Sequence, residues 1–253
     1  MENRKVKLKV ENIGKDFFVG EDTFTVIDRI SFEVYENEFL VLLGPGLCGK
    51  TTLLNIISGI EDSTRGKIYL DEKEINGTHK KIGMVFQKLG LLQWKTVMEN
   101  TEIGPKFAGI SKVERRKIAK KYLDLVGLLG FENYFPYQLS GGMKQRVGIA
   151  RAYTNDPDVL LLDEPFGQLD AQTRYSMQEE LLTITKKLMK TIVFVTNNIE
   201  EAIYLGDRII LLSKCPAKIK TIFRINFSHP RNVMDLEFLK IRSEISDNME
   251  LSN

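Results

Sequence analysis

Apolar and polar residues alternate from Val6 to Val10, apolar positions recur from Thr25 to Ile27 and Ile30 to Tyr35, and the pattern then closes into the unbroken run Phe39 to Leu43. Alternation with a period of two predicts strands with one wet face, whereas an unbroken run of strand length predicts a strand covered on both faces. The polar residues between runs read as turns, so this stretch is expected to be a mainly antiparallel layer feeding a buried strand. The charged, alternating start MENRKVKLKV reads as an edge strand and not as a signal peptide. After the glycine-rich turn Gly44 to Gly49, the residues Leu53, Leu54, Ile56 and Ile57 repeat at helical spacing within Lys50 to Ile60.

Short strands are expected at Lys67 to Leu70 and Ile82 to Phe86, followed by a helical insertion over about 88–155. Within it, Ser111 to Val126 predicts a charged amphipathic helix with Val113, Ile118, Tyr122 and Leu125 near one face. Buried strands then return at Val159 to Leu162 and Thr191 to Val195, separated by a helix from Ala171 to Met189; this βαβ alternation implies a parallel sheet. Beyond a strand at Ile209 to Leu212, a hairpin is expected over Lys218 to Phe227 and a short helix from Asp235 to about Ile245.

At 253 residues with 43% hydrophobic and 28% charged residues, the chain has the composition of a globular protein with a sizeable core. Its 36 basic and 34 acidic residues leave a net charge of +2, so no global field draws it onto nucleic acid and any bound anion must be held locally. Two cysteines, Cys48 and Cys215, offer no metal-ligand spacing and suit a reducing compartment, read as cytoplasmic. The apolar runs are strand-sized and fall short of the roughly 20 residues of a membrane span, so any service to a membrane is expected to come through docking.

Three segments carry chemistry. Gly44, Pro45, Gly46, Leu47, Cys48, Gly49, Lys50 and Thr51 fit the phosphate-loop pattern G-x-x-x-x-G-K-[ST], between a predicted strand and a predicted helix. There, successive backbone N–H groups and the helix N-terminus, through Thr52, can surround a β-phosphate; Lys50 can reach the β and γ oxygens, and Thr51 can ligate Mg²⁺. Val159 to Pro165 (VLLLDEP) is an apolar strand ending in two carboxylates, the form that places Asp163 on the Mg²⁺ shell and leaves Glu164 as a general base beside the γ-phosphate. Leu139 to Arg146 (LSGGMKQR) sets Ser140, Gly141 and Gly142 at the mouth of another helix, a second anion site in one chain. Together these predict an α/β fold with a P-loop NTPase core, an antiparallel β lobe and an inserted helical subdomain.

With its LSGGMKQR segment, the chain resembles the ABC transporter ATPase family over nearly its whole length. The resemblance implies a single nucleotide-binding domain, with core and β lobe at about 1–87 and 156–227, helical subdomain at about 88–155, and a C-terminal hairpin and helix at about 214–253. It implies ATP and Mg²⁺ as ligands and a dimer, of this chain or with a homologous subunit, in which each signature closes over the other's ATP. By position, Gln87 is similar to the glutamine that touches Mg²⁺ and senses the membrane partner. Asp170, in GQLD, is similar to the D-loop aspartate. Phe17 takes the place of the aromatic that stacks on adenine, with Phe18 and a packing role as alternatives. Asn197 takes the place of the switch histidine. LLQWKTVMEN, LLLDEPFGQLDAQTR and VTNNIEEAIYLGDRIILLS are similar to the nitrate, sulfonate and taurine importer ATPases, as is the tail KIKTIFRINFSHPR, which leaves no room for a regulatory domain. That implies permease subunits, indirectly an external solute-binding protein, no nucleic acid, and a peripheral place on the cytoplasmic face of the plasma membrane. Trp94 falls where the family receives the permease's coupling helix, packing being the alternative; His79 and His229 read as surface or turn positions, and Cys48 as an inert thiol.

Two positions depart from the family pattern. Gly46 and Leu47 stand where serine and glycine are usual, and a leucine is strained if that position needs φ above zero. VTNNIEEA places Asn197 where the family reads VTHDIEEA; asparagine can donate a hydrogen bond but is shorter and does not titrate. A transport ATPase and a slow, degenerate nucleotide-binding subunit are therefore both open readings, and the retained Glu164 favours the first.

Overall fold

The computed structural model describes residues 4–250. In chain order the elements are β1 (Val6–Val19), β2 (Asp22–Tyr35), β3 (Phe39–Leu43), α1 (Lys50–Ser58), β4 (Arg65–Leu70), β5 (Lys73–Ile75) and β6 (Ile82–Val85). They continue with α2 (Val97–Thr101), α3 (Ile103–Phe107), α4 (Lys112–Leu125), α5 (Gly141–Tyr153), β7 (Val159–Asp163), α6 (Ala171–Leu188), β8 (Thr191–Thr196), α7 (Ile199–Leu205), β9 (Arg208–Leu212), β10 (Ile219–Arg224) and α8 (Leu236–Glu250). Residues 4–79 with 191–250 form one compact unit, and 80–190 a second.

In the first unit, β1 and β2 pair antiparallel from Val6↔Tyr35 to Val19↔Asp22, and β4 and β5 extend that sheet in the order β2-β1-β4-β5. The strand predicted at the edge is therefore an inner one: β1 is hydrogen-bonded to β2 on one side and β4 on the other. Its first residues, Met1 to Asn3, lie outside the described part. Of the polar interruptions, Gly20–Glu21 and Glu36–Asn37 are turns as expected, whereas Asn12 and Asp28–Arg29 stay within the strands. The register shifts four times: β1 has an extra residue between Val6 and Leu8 and another between Val10 and Ile13, and β2 has one between Ile30 and Ile27 and another between Ile27 and Thr25; Asn12 and Arg29, at two of these places, have φ of 51° and 56°. These extra residues are taken up as β-bulges, so ladders that read as three short runs become two strands of 14 residues.

The same unit holds the parallel strands β8, β3 and β9, with β10 antiparallel on β9. All five residues of β3 and all six of β8 are buried, as expected for strands covered on both faces. Helix α1 has nine residues, too few to persist alone, and is held by burying Leu53, Leu54, Ile56 and Ile57; each such side chain contributes about 1.5–3 kcal/mol. The segment expected as a self-contained hairpin is instead the second arm of one: β10 folds back on β9 around Ser213 to Lys218. Helix α8 runs further than expected, through Glu250, and is anchored by Phe238 and Ile245, both fully buried and two turns apart on one face.

A buried guanidinium ties down the end of α7. Arg231, 5% exposed, donates to the carbonyls of Ile203 (2.6 Å), Gly206 (2.7 Å) and Phe227 (3.1 Å). The carbonyls of Ile203 and Gly206 belong to the last turn and C-cap of α7, where a cation satisfies groups that have no partner within the helix. Burial lowers its pKa to about 10, still leaving it charged at neutral pH.

In the second unit, β6 and β7 pair in parallel from Ile82↔Val159 to Val85↔Leu162. Thr96 and Glu99 form a capping box that starts α2: Thr96 Oγ1 accepts from the Glu99 N–H at 3.2 Å, and Glu99 Oε2 from the Thr96 N–H at 3.0 Å. Helix α4 buries Ala119, Tyr122 and Leu123, with Val126 just beyond its end. Its apolar face is thus shifted by one residue from the expected set, and Val113 points outward at 81% exposure.

Candidate functional site

The phosphate loop lies in the first unit, between β3 and α1. Leu47 has φ 61° and Gly49 φ 103°, both left-handed, with Cys48 between them buried. Such a turn curls successive N–H groups inward around a concavity, and α1 adds the N–H groups of its first turn, whose N-cap Gly49 supplies no side-chain acceptor and whose first turn carries no acid. Glycine is required at 49: besides its φ, a Cβ there would meet Val26 Cγ1 at 3.0 Å and the Val26 carbonyl oxygen at 3.2 Å. Gly46 faces open space, and the Leu47 side chain is 99% exposed, so neither fills the concavity.

Lys50 is 4% exposed, and its Nζ donates to the carbonyls of Gly44 (3.0 Å) and Pro45 (2.7 Å). A buried cation is thereby held at the lip of a ring of amide donors, which fits a polyphosphate. Thr51 is exposed and Thr52 half-buried at the start of α1. Burial pushes the Cys48 thiol pKa up despite nearby Lys50, agreeing with an inert cysteine.

The leucine at 47 therefore sits where a left-handed backbone is required, at a cost of about 1–2 kcal/mol. Leu47→Gly is expected to raise stability by about 1 kcal/mol, read as a higher urea midpoint at unchanged slope, because its side chain makes no buried contact to lose.

The segment holding Asn197 follows β8 in the same unit. Asn197 is exposed, while its neighbour Asn198 caps α7: its Oδ1 accepts from the Glu201 N–H at 2.9 Å, and its own N–H donates to Thr196 Oγ1 at 3.1 Å. The Thr196 hydroxyl donates in turn to the buried Glu201 carboxylate. The turn is thus braced on one side by Thr196 and Glu201, and Asn198 has its side chain committed to the cap. Phe17 lies near the tip of the β1–β2 hairpin, 38% exposed, opposite Phe24, with Lys15 Nζ 4.9 Å from its ring centroid; Phe18 is 71% exposed.

The second unit carries the other carboxylates. Asp163 closes β7 and is 2% exposed. Glu164 follows with φ 42°, and its Oε2 accepts a hydrogen bond from Gln87 Nε2 at 3.3 Å, joining two residues 77 positions apart. Ser140 caps α5, its Oγ accepting from the Met143 N–H at 3.3 Å, with Gly141 and Gly142 opening the helix. Asp170 caps α6: the Thr173 N–H donates to its Oδ1 at 3.0 Å and holds its carboxyl below the usual range.

What positions Gln87 is a set of contacts that no motif announces. Arg151 on α5 donates to the carbonyl of Gly90 at 2.9 Å and to that of Leu89. A Cβ on Gly148 would come within 2.7 Å of Leu89 Cδ2, so this glycine is the notch that seats Leu89. Further on, the fully buried Asn100 donates to the carbonyls of Leu92 (3.1 Å) and Lys95 (3.0 Å). The chain leaving Gln87 is therefore pinned to α5 and α2. Gln87, Leu89, Gly141, Gln145, Pro165 and Gln168 border a cavity of about 300 Å³ between these elements.

Among the described residues no group of three or more His, Cys, Asp or Glu could hold a metal. Thr51 in the first unit, and Asp163 and Gln87 in the second, each carry a hard oxygen donor of the kind magnesium takes. Trp94 is 73% exposed, which overturns its reading as a packed residue. His229, half-buried, lies 2.9 Å from the Tyr204 carbonyl through Nε2.

Comparison with known proteins adds an independent line. The ABC transporter family profile matches residues 27–167. The chain is 51% identical over 241 residues to an uncharacterised ABC transporter ATP-binding protein of Methanocaldococcus jannaschii, across 95% of this chain and 90% of that protein. It is 50% identical over 201 residues to a taurine import ATP-binding protein of Yersinia pestis, across 79% of each, and 47% identical over 222 residues to one of Rhizobium johnstonii, across 87% and 84%. A solved dimeric bacterial ABC transporter cassette matches with a TM-score of 0.78 at 34% identity, over 87% of this chain and 100% of that one. A post-hydrolysis form bound to ADP and Pi matches with a TM-score of 0.77 at 33% identity. Fold, profile and relatives agree with the motifs, and the chain belongs to the ABC transporter ATP-binding family and is one of its ATPases.

Proposed function

We propose that this ATPase powers an importer of a small solute of the taurine, sulfonate or nitrate kind, working as one half of a dimer that closes on two ATP. The taurine import relatives support the solute class, and the dimeric cassette supports the assembly. The observation that carries the catalytic part is the 3.3 Å contact between Gln87 Nε2 and Glu164 Oε2. Glu164 then serves as the general base for the attacking water, oriented by Gln87. Lys50 and the amides from Gly44 to Thr52 hold the phosphates; Ser140, Gly141 and Gly142 offer their helix N-terminus to the partner's ATP, with Asp170 beside them; Phe17 stacks on adenine. Thr51, Gln87 and Asp163 would hold magnesium, which supplies charge neutralisation at the phosphate oxygens when bound. The partners are a second copy or a homologous subunit, permease subunits that take up exposed Trp94, and indirectly an external solute-binding protein, all at the cytoplasmic face of the membrane. The reading predicts steady-state ATP turnover that rises when the permease subunits are present; turnover indifferent to every permease of this class would overturn the importer assignment.

Asn197 and Leu47 favour a second reading, a subunit of the same kind with slow turnover. A preorganised donor lost from a site of developing charge typically costs roughly 10²–10³ in rate, and asparagine recovers part of it. Asn197→His is therefore expected to raise the ATPase rate several-fold at nearly unchanged ATP affinity, since the missing contact acts mainly in the transition state. A flat or falling rate in this variant would remove the slow-subunit reading.

A further inference from the structure

Charge is unevenly distributed along this nearly neutral chain. Seven of its 36 basic residues but one of its 34 acidic ones fall within the 16 residues 106–121, a net +6 that leaves the remainder at −4. At 100° per residue along α4, Arg116, Lys120, Lys117 and Lys121 occupy an arc of about 140° on the side away from buried Ala119, Leu123 and Val126. All four are exposed, as are Lys106 and Lys112. Among the described residues only Arg116 of these six has an acidic partner within ion-pair reach, Glu102 at 3.8 Å, and Lys121 lies 5.3 Å from the Tyr122 ring centroid. Glu114 stands at the edge of the arc, and the exposed Asp124 lies within its bounds, in the last turn of the helix. Two large apolar side chains project from this cationic ground: Val113 in the middle of the arc, 81% exposed, and Phe107 at the end of α3, 85% exposed. Val113 is turned away from Ala119, Tyr122 and Leu123, which α4 buries, and α3 buries Pro105 while leaving Phe107 outside.

We propose that the exposed face of α3 and α4 is a binding surface for an anionic lipid bilayer, with Lys112, Arg116, Lys117, Lys120 and Lys121 in the headgroup field and Phe107 and Val113 entering the interface. Clustered Lys and Arg on a helix are attracted to an anionic leaflet, and an aromatic and a branched aliphatic side chain set among them gain by leaving water at the acyl boundary. Nucleic acid fits less well. Lysine, a hydrated point charge, supplies four of the six cations on α4, which suits a diffuse field better than bidentate phosphate recognition, and among the described residues this face has no row of aromatic rings for bases to stack on. The surface involves none of the ATP-binding residues, so it stands or falls separately from the importer reading.

The test is co-sedimentation of the full chain with phosphatidylglycerol vesicles and with phosphatidylcholine vesicles over a range of salt. Binding to the anionic vesicles that weakens as salt rises, with little binding to the neutral ones, is expected. Combined Lys117→Glu, Lys120→Glu and Lys121→Glu should reduce anionic binding by at least roughly tenfold, three charges near a leaflet being involved. Combined Phe107→Ser and Val113→Ser should weaken it at low and high salt alike. Basal ATP turnover, unchanged in both variants, confirms that each is folded. Equal binding to both vesicle types, charge-reversed protein that binds as wild type does, or duplex DNA that displaces the protein from phosphatidylglycerol at matched phosphate concentration would each overturn the proposal. Absence of turnover in the wild type would count against the importer reading and leave the vesicle result untouched.

Discussion

Glu164→Gln should bring steady-state ATP hydrolysis down by roughly 10²–10⁴, the range that a positioned general base contributes, while ATP still binds. The substitution keeps the size of the side chain, and its carbonyl can still accept the hydrogen bond that Gln87 Nε2 gives to Glu164 at 3.3 Å. Backbone geometry at φ 42° should therefore survive, and the loss should fall on the chemical step alone. If ATP holds two copies together and is removed only by hydrolysis, a base-less variant accumulates the ATP-bound dimer by mass action. Size-exclusion chromatography with ATP and Mg²⁺ should show the dimer for Glu164→Gln and a monomer without nucleotide. Normal turnover in this variant would remove Glu164 as the base; lost turnover with no dimer would leave the base and remove the sandwich.

Lys50→Ala should lower ATP affinity by roughly 10- to 100-fold, the equivalent of one hydrogen bond to a charged group. Lys50 Nζ spans the carbonyls of Gly44 and Pro45 at 3.0 and 2.7 Å. These bonds, with the burial of the side chain, hold the ammonium at the loop, so little side-chain entropy remains to be lost on binding a phosphate. The same bonds mean that Lys50→Ala leaves two loop carbonyls without their donor, so some loss of thermal stability should accompany the affinity change. Isothermal calorimetry with ATP separates the two effects. Unchanged affinity alongside a lowered melting temperature would make Lys50 a brace of the loop and not a phosphate ligand.

Much of the site was legible from residue order because its parts are contiguous. Gly44 to Thr51, Leu139 to Arg146 and Val159 to Glu164 each specify a strand end or helix start through local backbone preference, which needs no distant partner. The strain expected at Leu47 was also local, and φ 61° bears it out. Periodicity was less reliable where polar residues interrupt a ladder. Asn12, Asp28 and Arg29 read as breaks because a pattern of period two cannot tell a bulge from a turn; pairing between β1 and β2 decides, and that depends on both strands at once.

What the sequence by itself determined is the family, the fold class and the strand–loop–helix around Gly44 to Thr51, since these are written in short segments whose geometry is local. The tertiary structure alone decided which side chains meet. Gln87 reaches Glu164 across 77 positions, Arg151 holds carbonyls some 60 positions away, and Arg231 closes the end of α7 from 25 positions downstream. Bonds from an arginine to a backbone carbonyl leave no signature at the accepting residue, because every residue has a carbonyl. They form only after hydrophobic burial has brought the segments together, and by then desolvation has made an unmatched carbonyl expensive. The direction of Val113 was settled in the same way: four apolar residues on α4 looked equivalent by spacing, and the packing of Tyr122 and Leu123 inward turned Val113 out among the lysines.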